Sequence, residues 1–164
     1  MSADRETYRV LGIDPGLRIT GYAVIGIQKR GEPEILEAGA IRAGKIKDTP
    51  SRIEHIYNEL TGIIEEFKPD AMAIEKLYSH YDHPQTAIVM AHARGVIMLA
   101  ASQAKIRLHE IPATQIKKGL TGNGHASKEQ VQLAVRSMFH LKQVPRPPDV
   151  ADAIAAAICA GRKT

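Results

Sequence analysis

The sequence predicts an α/β fold in which helices flank a mixed five-stranded sheet. Short runs rich in β-branched residues, separated by turn residues, fill the chain up to residue 42. Helical periodicity then alternates with single short strands. Because no internal repeat and no domain boundary interrupts this order, we expect one domain over residues 1–164, with residues 1–7 as a flexible tail.

The first three strands are predicted to form an antiparallel meander. Residues 8–14 read as a short buried strand, and residues 20–28 as a second that is rich in β-branched and aromatic side chains. Turn residues follow at 29–33, and a third strand covers residues 34–42. Connections this short join antiparallel neighbours, since a parallel pair needs a longer crossover.

Two helices alternate with two further strands between residues 49 and 111. Thr49 is the predicted N-cap of the first helix, and Pro50 takes its first position. Apolar side chains at three- and four-residue spacing then give this helix one buried face as far as Phe67. Residues 70–75 lack polar alternation, which predicts a central strand covered on both faces. A helix over residues 84–104 and a strand over residues 107–111 follow.

Three helical segments complete the chain. The first covers residues 113–120 and ends at a Gly-containing break at residues 121–124. Ser127, with Gln130 three residues later, resembles a capping box and begins a helix that runs to about residue 140. The last helix covers residues 149–160 and is almost wholly apolar, so its Cys159 is expected to be a small buried side chain.

The charge distribution separates a basic segment from the rest of the chain. Residues 103–146 hold eight Lys or Arg against two Glu, a net charge of +6 in a chain of net charge +4. Such a segment favours binding to a polyanion, with a solvated basic surface as the alternative. Neither an export signal nor an apolar run of membrane length is found, so a cytoplasmic protein without a membrane partner is expected.

Four carboxylates occupy positions where an acidic side chain is locally unusual. Asp14 and Glu75 each end an apolar strand, and Asp149 and Asp152 lie three residues apart in the first turn of the last helix. A carboxylate at the end of a buried strand costs desolvation energy unless a cation offsets it. Residues three apart project from one face of a helix. Together, the four positions predict one site that holds divalent cations.

Three of these carboxylates also have a structural explanation. Asp14 could cap the turn that follows it, because Asp-Pro-Gly is a common turn sequence. Asp149 and Asp152 could be surface acids that stabilise the positive end of the helix dipole. Glu75 is harder to explain in this way, since Glu is a poor strand residue and is rarely buried without a partner.

Six motifs in chain order resemble the RuvC family of bacterial Holliday-junction resolvases. They are Leu11-Gly12-Ile13-Asp14-Pro15-Gly16, Thr20-Gly21-Tyr22, Ala73-Ile74-Glu75, Ala93-Arg94-Gly95-Val96, Gln115-Ile116-Lys117 and Asp149-Val150-Ala151-Asp152-Ala153. The resemblance implies a ribonuclease H-like fold and a homodimer, with the dimer interface near the helix at residues 84–104. It also implies metal-dependent, paired nicking of four-way junction DNA that leaves 5′-phosphate ends, and partners of the RuvA and RuvB branch-migration type.

The resemblance assigns catalysis to the same four acids. Family members carry four catalytic carboxylates, and Asp14, Glu75, Asp149 and Asp152 match them in order. Their implied task is to hold two Mg²⁺ per active site, for which Mn²⁺ can substitute. Ligands that are all oxygen suit either ion better than zinc.

DNA contacts are assigned by the same resemblance. Lys117 and Lys128 match basic family positions that bind phosphate, and Lys118 is a further candidate. Tyr78 matches an aromatic residue that stacks on a base at the junction centre, a contact worth about 1–3 kcal/mol. Solvated lysines and a packing role for Tyr78 are the alternatives. The segment at residues 79–84 departs from the family pattern, and Gly95 is expected to permit close helix packing.

Other protein classes are compatible with parts of the sequence. A YqgF-like nuclease that processes RNA precursors has the same fold, but its middle and last acidic segments differ from those of this chain. A non-catalytic DNA-binding module would not need all four acids. An ATPase of the actin and sugar-kinase type would need two lobes, for which 164 residues leave no room.

Overall fold

Five strands form one mixed sheet in the computed structural model, which describes residues 7–77 and 84–162. They are β1 (Thr7–Asp14), β2 (Ile19–Gln28), β3 (Glu34–Arg42), β4 (Ala71–Glu75) and β5 (Arg107–Ile111). Their order in the sheet is β3-β2-β1-β4-β5. The pairs β1–β2 and β2–β3 are antiparallel, whereas β4 runs parallel to both β1 and β5. The predicted meander and the predicted mixed sheet are therefore confirmed.

Helices cover both faces of this sheet. They are α1 (Thr49–Phe67), α2 (Pro84–Gln103), α3 (Ala113–Thr121), α4 (Lys128–Met138) and α5 (Pro148–Gly161). Successive β1 side chains point to opposite faces. Val10 accordingly packs in the core beneath α3, α4 and α5, while Leu11 packs in the core beneath α1 and α2.

Helix α5 lies directly against β1 and β2 because both strands carry glycine where the helix crosses them. A Cβ atom on Gly12 would lie 1.9 Å from the carbonyl oxygen of Ala153, and one on Gly21 would lie 2.2 Å from that of Asp149. Any side chain at either glycine would push the helix away from the sheet. Gly21 pairs with Asp14, so this close approach brings the first turn of α5 to the end of β1.

The start of α1 differs from the prediction by one residue. Asp48, not Thr49, is the N-cap, and its carboxylate accepts a hydrogen bond from the Ser51 N–H at 2.9 Å. Both residue types can cap a helix, but a charged carboxylate is the stronger acceptor. The end of α1 agrees with the prediction, since Lys68 is left-handed with a φ of 47° and Pro69 follows.

Of the other local predictions, two are confirmed and one is wrong. The capping box of Ser127 and Gln130 is confirmed in both directions, and Cys159 is buried as expected. Thr7 was expected in the flexible tail but belongs to β1, where it pairs with Gln28, while residues 1–6 lie outside the described structure. Among the described helices, none is both long enough and apolar enough to cross a membrane.

Candidate active site

Asp14 and Glu75 lie at the same edge of the sheet. Each is the last residue of its strand, and the residues before them, Ile13 and Ile74, pair directly in the parallel β1–β4 ladder. Because the carboxyl ends of neighbouring parallel strands meet at one edge, both carboxylates emerge together beyond the buried part of the sheet.

Asp149 and Asp152 reach this edge from the first two turns of α5. The Asp149 side chain is hydrogen-bonded to that of Asp14, and its backbone rests on Gly21. Asp152 lies one turn further along the helix and shares a pocket with Asp14 and Glu75. The structure thus brings together all four carboxylates that the sequence singled out.

A pocket of about 210 Å³ contains most of this cluster. Three carboxylates and two lysines share it with apolar side chains; the lining residues are Ile13, Asp14, Glu75, Ala113, Ile116, Lys117, Lys128, Val131, Asp152, Ala155 and Ala156. Two walls come from α3 and α4, which were predicted as helices but not as walls of the acidic site. Asp149 is not among the residues that line the pocket. It lies next to Asp14, where the Asp149 backbone contacts Gly21 of β2.

Burial and neighbouring acids make the Asp14 carboxylate costly to ionise. The pKa of Asp14 is raised to about 8, mainly by burial and in addition by the charges of Asp152 and Asp149. The ammonium of Lys128 acts in the opposite direction. Burial and the neighbouring acids therefore outweigh Lys128 in their effect on the pKa of Asp14.

Glu75 responds to the same environment. Glu75 as a whole is exposed at the strand end, but protein atoms surround part of its carboxyl group. This partial burial is the main cause of the raised pKa of Glu75. Asp152 also raises the pKa of Glu75, while Lys117, Arg94 and Lys128 lower it. Glu75 is therefore part of the electrostatic cluster rather than an isolated surface acid.

Lys128 is the cation that contacts the acids directly. Its Nζ lies 3.2 Å from Oδ2 of Asp152. Burial alone would lower the pKa of Lys128, but the ion pair with Asp152 and the charges of Asp14 and Asp149 raise it above its ordinary value. Lys128 is the first residue of α4 and directly follows the N-cap residue Ser127. The start of this helix therefore places Lys128 in the lining of the pocket.

The other residues predicted to contact DNA are Lys117, Lys118 and Tyr78, and within the described part of the chain only Lys117 of these is seen in the lining of the pocket. Lys117 lines the pocket from α3. Lys118, the next residue, is exposed and is not among the residues that line it. Tyr78 and most of the atypical segment that follows it, residues 79–83, lie outside the described residues.

The turn after β1 does not need the Asp14 side chain. Thr20 makes the bonds across this turn: its Oγ1 donates to the Gly16 carbonyl at 2.7 Å and accepts from the Gly16 N–H at 3.4 Å. The Asp14 carboxylate interacts with Asp149 instead. This arrangement favours the functional interpretation of Asp14 over the turn-cap alternative.

The chemistry of the cluster fits a divalent cation, but the side chains do not enclose one. Within residues 7–77 and 84–162, no three His, Cys, Asp or Glu side chains are placed to hold one metal ion together. The donors are nevertheless all carboxylate oxygens, which suit Mg²⁺ or Mn²⁺. Burial first, and then the charges of Asp152 and Asp149, raise the pKa of Asp14, and a bound cation would favour its ionised form.

Arg94 is a residue whose role the sequence did not reveal. It lies in the buried face of α2, donates a hydrogen bond to the Glu75 carbonyl and forms an ion pair with Glu110. A charged residue between the apolar Ala93 and Ile97 was the available signal. A Cβ on Gly95 would have no atom of the described residues within 4 Å, so this glycine permits no close packing there, and close helix packing at a dimer interface stays a prediction.

Comparison of the sequence with known proteins gives matches over almost the whole chain. The family model described as crossover junction endodeoxyribonuclease RuvC matches residues 10–160. A relative with this name from Rhodopirellula baltica is 47% identical over 152 residues, covering 92% of this chain and 84% of its own. Another from Thermosipho melanesiensis is 41% identical over 157 residues, covering 95% of this chain and 98% of its own.

Solved structures match as well. Thermus thermophilus RuvC in complex with a Holliday junction substrate superposes with a TM-score of 0.86 at 30% identity, covering 93% of this chain and 92% of that one. A yeast mitochondrial Holliday junction resolvase gives a TM-score of 0.68 at 16% identity, covers 98% of this chain and 80% of that one, and shows a likeness of fold alone. The ribonuclease H-like fold expected from the sequence is confirmed.

Proposed function

Because the chain belongs to the RuvC family of crossover junction endodeoxyribonucleases, we propose that it resolves four-way (Holliday) junctions by paired nicks in two DNA strands during recombination and repair. The observation that carries this proposal is the pocket in which the carboxylates of Asp14, Glu75 and Asp152 face the ammonium groups of Lys117 and Lys128. Metal-dependent phosphodiester hydrolysis uses both kinds of group, since carboxylates hold metal ions and cations hold phosphate. The Thermus thermophilus relative that is bound to a Holliday junction supports the choice of substrate.

The enzyme is a metal-dependent nuclease, and Asp14, Glu75, Asp149 and Asp152 are the residues that would hold its metal. We infer two Mg²⁺ per active site, with Mn²⁺ as a substitute. When bound, such ions lower the pKa of an attacking water and stabilise charge on the departing 3′ oxygen, which leaves a 5′ phosphate. The contribution of the protein is to fix the carboxylates on two strand ends and one helix start, so that little ordering remains when the substrate arrives.

The lysines orient the scissile phosphate in this proposal. Lys128 neutralises Asp152 in the DNA-free protein through their 3.2 Å ion pair, and Lys117 lies across the same pocket. A phosphate that entered would give both ammonium groups a second acceptor. Lys118 would bind a phosphate outside the pocket, and Tyr78 would stack on a base at the junction centre.

A homodimer would allow the two nicks to be paired. Helix α2 exposes four large apolar side chains to solvent: Ile88 at 59%, Val89 at 42%, Met98 at 38% and Leu99 at 51%. Exposed apolar residues of this size on one helix are typical of a protein interface, and a second copy of the chain is the occupant that the family suggests. RuvA- and RuvB-type branch-migration proteins are proposed as partners on the family relationship alone.

The proposal is tested by incubating the purified protein with a labelled four-way junction, a duplex and a single strand, with and without Mg²⁺. We expect Mg²⁺-dependent nicks in two strands of the junction and little cleavage of the other substrates. The Asp14→Asn variant should not nick but should bind the junction as well as the parent or better, because it removes a carboxyl group that could ionise and repel phosphate. Unchanged nicking by this variant would show that the site is wrong, and equal cleavage of the duplex would indicate a general nuclease.

A further inference from the structure

Arg94 is a buried charge on α2 to which the proposed function gives no role. We propose that Arg94 is a positioning residue, which anchors the backbone of Glu75 at the end of β4 and so holds this carboxylate where it can bind a divalent cation. The inference rests on the proposed function, because it takes Glu75 as a cation ligand.

Two short contacts define the position of the guanidinium group. Nη1 of Arg94 donates to the Glu75 carbonyl oxygen at 2.6 Å, and Nη2 lies 2.5 Å from Oε2 of Glu110. Both are charge-assisted contacts, because a guanidinium is the donor in each. The Arg94 side chain is only 7% exposed. From α2 it therefore bridges the last residue of β4 and the next-to-last residue of β5.

The two neighbouring strands pair with the end of β4 over different lengths. On the β1 side, the pairing ends with Ile13 and Ile74, one residue before Glu75. On the β5 side it continues, and the Lys76 N–H donates to the Ile111 carbonyl at 2.8 Å. The Arg94 bond adds an anchor at the Glu75 carbonyl from the helix layer. A strand end held by the sheet and by this bond leaves the carboxylate fewer orientations than one held by the sheet alone.

Packing alone does not explain a guanidinium at this position. Its neighbours in the buried face of α2, Ala93 and Ile97, are fully buried apolar residues. Burying a charge in such a place is costly, and a well-packed apolar side chain is often at least as stabilising. What the guanidinium adds is its pair of acceptors, one of which is the backbone of a pocket residue. This geometry points to a role at the active site.

The test measures Mn²⁺ binding to the DNA-free protein by isothermal titration calorimetry, so it does not depend on nicking. Losing an outer partner of a metal site typically weakens metal affinity about 10- to 100-fold, and we expect a loss of about tenfold for Arg94→Met. Arg94→Lys keeps the charge but cannot span both acceptors, so its loss should be intermediate. Glu110→Gln changes a side chain that is 42% exposed, should fold normally, and should give a smaller loss in the same direction.

A kinetic measurement separates positioning from a general loss of structure. For the folded Arg94→Lys protein, the Mg²⁺ concentration that gives half-maximal nicking should rise by the same factor as the Mn²⁺ dissociation constant. Metal-free binding of the junction should stay at the level of the parent. Arg52→Lys is the matched control, because Nε of Arg52 donates to the Ile46 carbonyl at 2.6 Å near the start of α1, and its Mn²⁺ affinity should not change.

Glu75→Gln makes failure of this inference distinguishable from failure of the proposed function. If Glu75→Gln binds Mn²⁺ as the parent does, Glu75 is not a ligand and the proposed metal site is wrong. If Glu75→Gln weakens Mn²⁺ binding while the folded Arg94→Lys and Glu110→Gln proteins bind it normally, the positioning role is overturned and Arg94 only stabilises the fold.

Discussion

Replacing Asp14 by asparagine should stabilise the metal-free protein while it abolishes nicking. The carboxyl group of Asp14 is buried beside Asp149 and Asp152, and these surroundings raise its pKa from 3.8 to about 8. The folded protein therefore favours the neutral form, whereas the unfolded chain ionises near its ordinary pKa. Asp14→Asn removes the charge and keeps a side-chain N–H that can donate to Asp149.

The size of the effect follows from the linkage between pKa and stability. A shift from 3.8 to about 8 costs about 6 kcal/mol at most when Asp14 is fully ionised, at about 1.36 kcal/mol per pKa unit. Because the folded pKa is the higher one, this cost is absent at pH values below the unfolded pKa and grows as the pH rises towards about 8. At neutral pH it amounts to about 4 kcal/mol, and rearrangement of Lys128 towards Asp14 would lower it.

Urea unfolding in the presence of EDTA measures this difference. Between about pH 5 and about pH 8, the free energy of unfolding of Asp14→Asn should exceed that of the parent by a margin that grows by up to about 1.4 kcal/mol per pH unit. Glu54→Gln is the matched control, because Glu54 is an exposed acid on α1 and its replacement should change stability little at any pH.

The result that would refute this reasoning is a margin that does not change with pH, or a variant less stable than the parent at about pH 8. Millimolar Mg²⁺ supplies a second check. If Asp14 helps to hold the ion, Mg²⁺ should raise the stability of the parent more than that of Asp14→Asn, because a ligand that binds only the folded state stabilises it.

Two further predictions concern DNA binding and assembly. Lys117→Ala and Lys128→Ala should each weaken junction binding and reduce the slope of its salt dependence by about one, as measured by fluorescence anisotropy. Lys29→Ala, after the end of β2, should change neither, and an equal change there would mean that the effect is not local. Leu99→Glu on α2 should weaken the proposed homodimer by at least about tenfold in light scattering, because an unpaired carboxylate would be buried. Leu133→Glu on α4, where the parent leucine is 48% exposed, is the control, and a parent that is strictly monomeric at micromolar concentration would contradict the interface.

Periodicity made most of the fold predictable from the sequence. Each strand and helix carried its own pattern of apolar side chains, and Ser127 with Gln130 marked a helix start that the structure confirms. Caps and tails were less predictable, because neighbouring residues compete for the same role. Asp48 and Thr49 could both cap α1, and the carboxylate of Asp48 does so. Thr7 could not be assigned to β1 without knowing its partner, Gln28.

The candidate site was predictable where a residue type conflicted with its local surroundings. Acids at the ends of apolar strands stand out in any sequence, so Asp14 and Glu75 could be singled out without a structure. Arg94 was harder to interpret, because its two acceptors come from β4 and β5 and no spacing along the chain reveals them.

By itself, the sequence determined which side chains are acidic or basic and which elements carry them, since both depend only on residue type and local periodicity. The tertiary structure decided which of them meet. Gly12 and Gly21 let α5 approach the sheet closely, and this approach brings Asp149 to Asp14. Burial of Asp14, together with the charges of Asp152 and Asp149, then raises its pKa to about 8. Such a shift depends on distances between groups far apart in the chain, so only the folded structure could supply it.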